Sequence, residues 1–346
     1  MPSAVVTLDF DPTLHAGPFA ARWETLGLAA AFFAALLIAA VLARAAGRRA
    51  GLSRLRLDDL LFLALAAVPG AVLGGRLMAG LDYLDYYRVH PGALLDPAQG
   101  SLSLLGAVLG ATLAVAYMCR LLQVPARRWL DVAAVPLLIA IGLGKLAYLL
   151  GGGGQGLPYG GRFALAFAGP GPWLSPLPAV PSQPSQVYEA AWALAGVLLV
   201  LALAAGPFRR RLPERFRQEG TWLAARWAHG LEVDPGRLRF GFCYLAALAW
   251  WLLGRVVVGF TWRGAAAIAG LRPEQAGALV ALAAVVLVAA WWTRTGRTSA
   301  AGPGLPAPTR EGFAGPDTAP LARSDAVELA PRPPARVTPT DDRRGT

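Results

Sequence analysis

Residues 130–150 read LDVAAVPLLIAIGLGKLAYLL, an apolar run of membrane-spanning length with one lysine near its end. A helix needs about 20 predominantly apolar residues to cross roughly 30 Å of hydrocarbon. Lys145 is the only lysine in the chain, because the other 31 of its 32 basic residues are arginines. A charge inside such a segment is costly unless it faces the protein interior, water or a partner. The run therefore predicts a transmembrane helix with a charge placed where a site could use it.

Further stretches of the 346-residue chain share this character. The chain is 55% hydrophobic and only 15% charged, with a mean hydropathy of +0.47, which excludes an ordinary soluble globular protein. The sequence predicts an all-α polytopic membrane protein with seven transmembrane helices, at about 25–45, 58–80, 101–122, 130–150, 186–206, 238–262 and 274–293.

The arginines predict the orientation of these helices. They are concentrated in segments 120–129 and 207–237, whereas segments 81–100 and 151–185 contain few. Basic loops remain on the cytoplasmic side. We therefore expect the N-terminus outside and the C-terminus inside.

The net charge of +11 has a membrane explanation. Because the arginines lie mainly in the inner loops and the tail, they set topology and meet anionic lipid, and no nucleic-acid partner is expected. Cys119 and Cys243 lie in apolar runs without a CxxC pattern or a nearby histidine. Neither a metal site nor a cofactor is predicted.

Two segments differ from the helices in composition. Residues 294–346 are rich in Pro, Thr, Arg and Asp and predict a disordered cytoplasmic tail after a transmembrane domain at 1–293. The outer loop 151–185 is rich in Gly and Pro but also contains aromatic residues, so we expect it to fold onto the membrane surface.

Four charged residues fall at one depth: Arg76, Lys145, Glu189 and Arg255. Counting about 1.5 Å per residue from the helix ends places all four within roughly 5 to 10 Å of the outer boundary. Three cations against one carboxylate predict a pocket with excess positive charge, which suits an anionic phospholipid head group. The alternative is that Arg76 and Arg255 extend to the interface and Glu189 pairs with any of the cations. The Gly151–Gly154 run adds backbone N–H groups that a phosphate could approach closely.

Five motifs in order resemble the prolipoprotein diacylglyceryl transferase family, over about residues 22 to 263. They are GGRLMAGLDYLDYY (74–87), SLSLLGAVLG (101–110), DVAAVPLLIAIGLGKLAYLLGGGGQG (131–156), PSQPSQVYEA (181–190) and YLAALAWWLLGRVVVGF (244–260). The resemblance implies a multi-pass protein of the bacterial inner membrane. It implies transfer of a diacylglyceryl group from phosphatidylglycerol to a lipobox cysteine in a preprolipoprotein signal peptide, with release of glycerol phosphate.

The resemblance also assigns residues. Lys145 stands where the family has an arginine, Arg76 and Arg255 match two family arginines, and Tyr188 and Glu189 match a Tyr-Glu pair. Glu189 and Tyr148 are the implied catalytic residues, and the implied substrate-binding residues are Lys145, Arg76, Arg255, Tyr188, Gln183, Gln186, Ser103, Gly144, Gly151 and Gly152.

The chain departs from the family pattern where bases and hydrogen-bonding groups are expected. Leu105 and Gln183 replace two histidines, and the family's other polar residues fall at Tyr148, Gly153, Trp251, Gly259 and Glu24. The chain is thus a divergent member lacking the family's histidines. This leaves open a catalytically degenerate relative that binds an anionic lipid or glycolipid, or modifies a different acceptor. A transporter has support only from the helix count, because the polar layer lies on one side of the membrane.

Overall fold

The computed structural model describes residues 5–46, 55–94, 102–205, 241–264 and 270–300. The helices are α1 (Trp23–Ala46), α2 (Leu57–Asp82), α3 (Leu84–Val89), a 3₁₀ turn (Pro91–Leu94), α4 (Leu104–Leu121), α5 (Ala126–Leu150), α6 (Ser185–Ala205), α7 (Phe242–Gly259) and α8 (Pro273–Ala300). All of these except α3 and the 3₁₀ turn are long and apolar enough to cross a membrane. The predicted seven spans are therefore confirmed for the described part of the chain.

Two expectations fall partly or wholly outside the described residues. Helix α8 continues to Ala300, beyond the expected end at residue 293, and the rest of the expected tail, 301–346, is not described. The arginine-rich segment 207–237, which was expected on the inner side, is likewise outside the described ranges.

Helices α2 and α4 meet through a pentapeptide that the chain uses twice. GAVLG occurs at 70–74 on α2 and at 106–110 on α4. A Cβ atom on Gly74 would collide with the Gly106 carbonyl oxygen, and a Cβ on Gly106 would collide with that of Gly74; Gly70 and Gly110 form a second reciprocal pair. These glycines let the two backbones touch, as close helix packing in membranes requires.

Helices α6 and α7 are joined by two tryptophans. The Trp192 and Trp250 rings stack with centroids 4.7 Å apart, and each indole N–H donates to the other residue's backbone carbonyl at 2.8 Å. Gly196 and Gly254 leave room for these rings, since a Cβ on either glycine would strike the tryptophan of the opposite helix. The pairing satisfies both indoles without water.

Four short strands correct the all-α expectation to a mostly helical fold. Strand β1 (Val6–Asp9) pairs in parallel with β4 (Leu165–Ala168), and β2 (Thr13–Ala16) forms a hairpin with β3 (Phe19–Arg22). The first pairing joins residues that are far apart in the chain, so no local sequence pattern predicts it.

The loop between α5 and α6 folds into a layer with the N-terminal segment. Trp173 packs edge-on against Phe10 and beside Phe167, with ring centroids 5.2 and 5.0 Å away. Arg263, after α7, donates to the Gly156 carbonyl at 2.7 Å and to the Ser182 hydroxyl, which attaches this layer to the end of α7. Helices α5 and α7 therefore end beneath the layer, and α6 begins there.

Candidate functional site

An ion-paired cluster lies where these helix ends meet. Lys145 on α5 and Arg255 on α7 both contact Glu189, in the second turn of α6. The Lys145 Nζ is 2.9 Å from Glu189 Oε2, and an Arg255 Nη is 2.9 Å from Glu189 Oε1. Glu189 and Arg255 are each only 2% exposed, and the Lys145 side chain is 15% exposed. Three helices thus bring their charges to one point inside the bundle.

A fourth charged residue, Glu274, completes the cluster. It lies in the first turn of α8 and accepts a hydrogen bond from the second Nη of Arg255. Its other carboxylate oxygen faces the hydroxyl of Ser103, the residue preceding α4, at 3.4 Å. The arginine therefore bridges two carboxylates from different helices through its planar fork.

Sequence reasoning missed Glu274 because it sits at the flank of an apolar run, where charges are usual. The signal that was available is local: Glu274 follows Pro273 at the start of a helix, a position that favours an acidic side chain.

Aromatic rings cover the two cations. The Arg255 guanidinium carbon lies 4.0 Å from the centroid of the Trp262 ring, and the Lys145 Nζ is 5.2 Å from the same centroid. The Tyr148 ring centroid is 5.8 Å from Lys145 Nζ. These distances are within the range of cation–π attraction, which is strongest for tryptophan.

The ion pairs of the cluster include one carboxylate more than the sequence predicted. Lys145 and Arg255 contact Glu189, and Arg255 also contacts Glu274. These four side chains carry two positive and two negative charges, and such pairing offsets the cost of burying a charge. The predicted positive excess depends on the third cation, Arg76, and stays a prediction.

Arg76 lies half-buried on α2, next to Gly75. The Gly75 carbonyl accepts from the Ser103 amide at 3.1 Å, so Arg76 is at the same end of the bundle as Ser103. Its role in the site stays a prediction.

Tyr188 and Gly144 each precede an ion-paired residue in the chain but face other surroundings. Tyr188 is 39% exposed although its neighbour Glu189 is buried, because successive helical residues point about 100° apart. Gly144 faces α1, where a Cβ would meet Leu28 at 3.5 Å.

Two glutamines at the start of α6 carry buried polar atoms without hydrogen-bond partners among the described residues. Gln186 is 2% exposed, and neither its amide nitrogen nor its amide oxygen is bonded; the Gln183 side-chain oxygen is in the same condition. Gln186 lies one turn before Glu189 on the same helical face. Buried amides of this kind are suited to a polar ligand, because leaving them unsatisfied is unfavourable.

Three amides of the glycine run after α5 are used to close the end of that helix. The Gly151, Gly152 and Gly153 amides donate to α5 carbonyls at 3.0 to 3.2 Å, closing the helix end. Side chains occupy the space beside the run, with Glu24 against Gly151 and the Trp173 ring against Gly152. Gly152 has a φ of +73°, which a glycine adopts without strain. Binding of a phosphate at this run stays a prediction.

Two positions where the family resemblance implies a base or a hydrogen-bonding group contain packing residues. Leu105 and Trp251 are each 1% exposed within the apolar core. The Gln275 side chain fills the space beside Gly259. A separate cavity of about 130 Å³ near the start of α5 is lined by Ala39, Leu60, Leu63, Ala64, Ala67, Val115, Trp129, Val132 and Ala133, so it has no group in common with the ionic cluster.

The fold and the cluster together define a polytopic membrane protein with a buried ionic site at one end of its helices. Comparison with known proteins then shows that the chain belongs to the prolipoprotein diacylglyceryl transferase family, whose model matches residues 12–228, more than half of the chain. Arg255 and Glu274 lie beyond the matched range.

Named relatives agree with this family. A protein of Gluconobacter oxydans is 35% identical over 215 residues, covering 60% of this chain and 72% of the relative. One of Geobacter sulfurreducens is 36% identical over 191 residues (55% and 68%), and one of Beijerinckia indica is 32% identical over 224 residues (61% and 76%). Each is described as a phosphatidylglycerol–prolipoprotein diacylglyceryl transferase.

Proposed function

We propose that this protein transfers a diacylglyceryl group from phosphatidylglycerol to the sulfur of a lipobox cysteine in a preprolipoprotein signal peptide. Family membership supports the reaction class, since the named relatives carry this activity in their descriptions. The observation that carries the proposal is structural: Lys145 and Arg255 both reach one buried carboxylate, that of Glu189, beneath the Trp262 ring.

Glu189 holds the two cations in an arrangement that a phosphate can also use. Its two oxygens each receive one cation at 2.9 Å. A phosphodiester likewise presents two oxygens that share a negative charge on one central atom, and the remaining N–H donors of Lys145 and Arg255 can bind them while Glu189 stays paired. The carboxylate thereby keeps the cations spaced for the ligand before the ligand arrives.

The chemistry follows from that placement. A thiolate sulfur attacks the carbon of the diacylglyceryl group that is bonded to the phosphate oxygen. The carbon–sulfur bond forms and the carbon–oxygen bond breaks. The electron pair of the broken bond stays on the oxygen of the departing glycerol phosphate. Lys145 and Arg255 stabilise the charge that develops on that oxygen. This step needs no cofactor.

The remaining assignments extend this proposal. The N-terminus lies outside and the C-terminus inside the bacterial inner membrane, in a transmembrane domain at 1–293 followed by a cytoplasmic tail. Arg127 and Arg128 begin α5 at the end opposite Lys145, which supports this orientation. Glu189 and Tyr148 act at the reacting centre, and the head group and peptide contact Lys145, Arg255, Arg76, Tyr188, Gln183, Gln186, Ser103, Gly144, Gly151 and Gly152.

The test combines a cellular and a binding measurement. The gene is expressed in bacteria depleted of their own transferase, and lipoprotein modification is followed by mobility shift and mass spectrometry. The wild-type protein restores modification, and Lys145→Ala and Arg255→Ala lower it at least tenfold. Normal expression without modification contradicts the proposal.

A second candidate is a relative that binds an anionic lipid without turning it over. Burial of Leu105 in the apolar core favours it, because no base can act from that position. Native mass spectrometry separates the two candidates. Bound phosphatidylglycerol that is lost in Lys145→Ala, with no transfer by the wild-type protein, establishes binding alone.

A further inference from the structure

The two carboxylates of the cluster are bound differently, although both contact Arg255. Both oxygens of Glu189 are engaged by cations at 2.9 Å, and its side chain is 2% exposed. Only one oxygen of Glu274 contacts a cation. Its other oxygen has a hydroxyl contact at 3.4 Å, and the side chain is 27% exposed.

This difference determines which carboxylate can accept a proton. Protonating Glu189 would disrupt two buried ion pairs at once, which is strongly unfavourable. Protonating the Ser103-facing oxygen of Glu274 leaves the contact of its other oxygen with Arg255 in place. The Glu274 side chain is also the more exposed of the two carboxylates, at 27% against 2%.

The geometry points to Glu274 as the general base that takes the proton from the acceptor thiol. This inference rests on the proposed transfer activity. The thiol proton moves to Glu274 Oε1, and a sulfur lone pair forms the bond to the diacylglyceryl carbon next to the phosphate. The electron pair of the broken carbon–oxygen bond stays on the oxygen of the departing glycerol phosphate. The protonated Glu274 then returns its proton to the phosphate product or to water.

Arg255 explains how base and leaving group are brought together. One of its Nη atoms contacts Glu189, beside the place proposed for the phosphate, and the other contacts Glu274. The rigid guanidinium plane thus holds the proton acceptor beside the leaving-group position. Asp82 of α2 and Tyr148 of α5 also interact electrostatically with Glu274, so the groups facing it come from four elements besides its own helix: α2, α5, α7 and the residue preceding α4.

The test measures transfer by the full-length protein across pH. Protein in phosphatidylglycerol vesicles receives a synthetic lipobox peptide, and the thioether product is quantified from pH 6 to 9. We expect Glu274→Gln to lower the rate about 100-fold at pH 7, the typical contribution of a general base. The variant's rate then rises about tenfold per pH unit toward the thiol pKa near 8.5, because the thiol ionises unaided. The wild-type rate changes much less over this range.

Controls separate proton transfer from structural support. Phosphatidylglycerol binding by Glu274→Gln, measured by native mass spectrometry, stays within threefold of wild type. Arg255→Lys lowers the rate by the same factor at every pH. Asp85→Asn removes an exposed carboxylate on α3 and leaves transfer unchanged.

The contrary outcomes are distinct. A Glu274→Gln rate within threefold of wild type at pH 7 overturns the inference, as does a pH-independent loss accompanied by lost lipid binding. If Glu274→Gln does not fold, Glu274→Asp replaces it: a partial loss that keeps the wild-type pH profile supports the base, and full activity contradicts it. No transfer by the wild-type protein at any pH refutes the proposed function itself.

Discussion

The two ends of the helical bundle each bury a carboxylate, and they satisfy it in different ways. At the start of α5, Asp131 is 2% exposed and accepts from the backbone amides of Gly241 at 2.6 Å and Tyr244 at 3.1 Å. At the end of α5, Glu189 is equally buried but contacts only side-chain cations. The first carboxylate caps the N-terminus of α7, and the second joins charges from three helices.

The partners decide what each carboxylate can do. Backbone amides at a helix start are fixed by the helix itself, so Asp131 stabilises the position of α7 and no ligand can replace it without unwinding the helix. Lysine and arginine side chains have several N–H donors, so they can bind a further anion while the helices stay in place. Equal burial therefore corresponds to a structural role at one end and, under the proposed function, to a binding role at the other.

Removing the Glu189 carboxylate should have the largest effect on transfer and tests the difference between the two ends most directly. Glu189→Ala leaves Lys145 without its carboxylate partner and Arg255 with only Glu274. Breaking a buried ion pair in this way costs about 3–5 kcal/mol. We expect phosphatidylglycerol transfer to fall more than 100-fold and thermal stability in detergent to fall clearly.

The matched control is Glu189→Gln, which keeps the shape and one acceptor oxygen. It should recover part of the stability and little of the transfer. Wild-type transfer by Glu189→Ala would show that the cation pair is not the lipid site.

A charge-conserving change at Arg255 tests the bridge between the carboxylates. Arg255→Lys keeps the positive charge, but one ammonium group cannot reproduce the planar contacts to Glu189 and Glu274. We expect a 10- to 100-fold lower transfer rate, measured with a lipobox peptide. Arg263→Lys, outside the cluster, should change the rate less than threefold. An equal loss there would mean that the attachment of the α5–α6 loop to the end of α7, and not the bridge, limits transfer.

Hydropathy predicted the helices well because the membrane imposes length and composition on each span separately. It could not predict the parallel pairing of Val6–Asp9 with Leu165–Ala168, which depends on tertiary contact alone. The contact between Gly74 and Gly106 has the same origin. Both GAVLG copies are visible in the sequence, but nothing in the sequence shows that they contact each other.

Sequence analysis could predict which site residues lie at the same depth in the membrane, because depth follows from the residue's position along its helix. Counting residues put Lys145, Glu189 and Arg255 at one level, and the structure brings these three into contact. Counting could not give direction around the helix axis, which separates Tyr188 from Glu189. Nor could it recover Glu274, whose position at the edge of an apolar run resembles that of an ordinary interfacial charge.

At the opposite end, Asp131→Asn should affect stability and spare function. The asparagine oxygen still accepts one amide, but its NH₂ group faces a second donor, and losing a hydrogen bond to a charged group costs about 1.5–3 kcal/mol. We expect a lower midpoint of thermal unfolding in detergent, with phosphatidylglycerol binding per folded molecule unchanged by native mass spectrometry. A binding loss comparable to that of Glu189→Ala would remove the distinction between the two ends.

The smallest expected effect comes from Lys145→Arg, which restores the residue type that the family resemblance implies. The guanidinium keeps the charge, can pair with both Glu189 and a phosphate, and stacks favourably on the Trp262 ring. We expect transfer within about fivefold of wild type, in either direction, measured as thioether product. Lys145→Met, which keeps the length of the side chain without its charge, should bind phosphatidylglycerol at least tenfold more weakly. If arginine is as damaging as methionine, the shape of the lysine side chain, and not its charge, is what this end of the bundle requires.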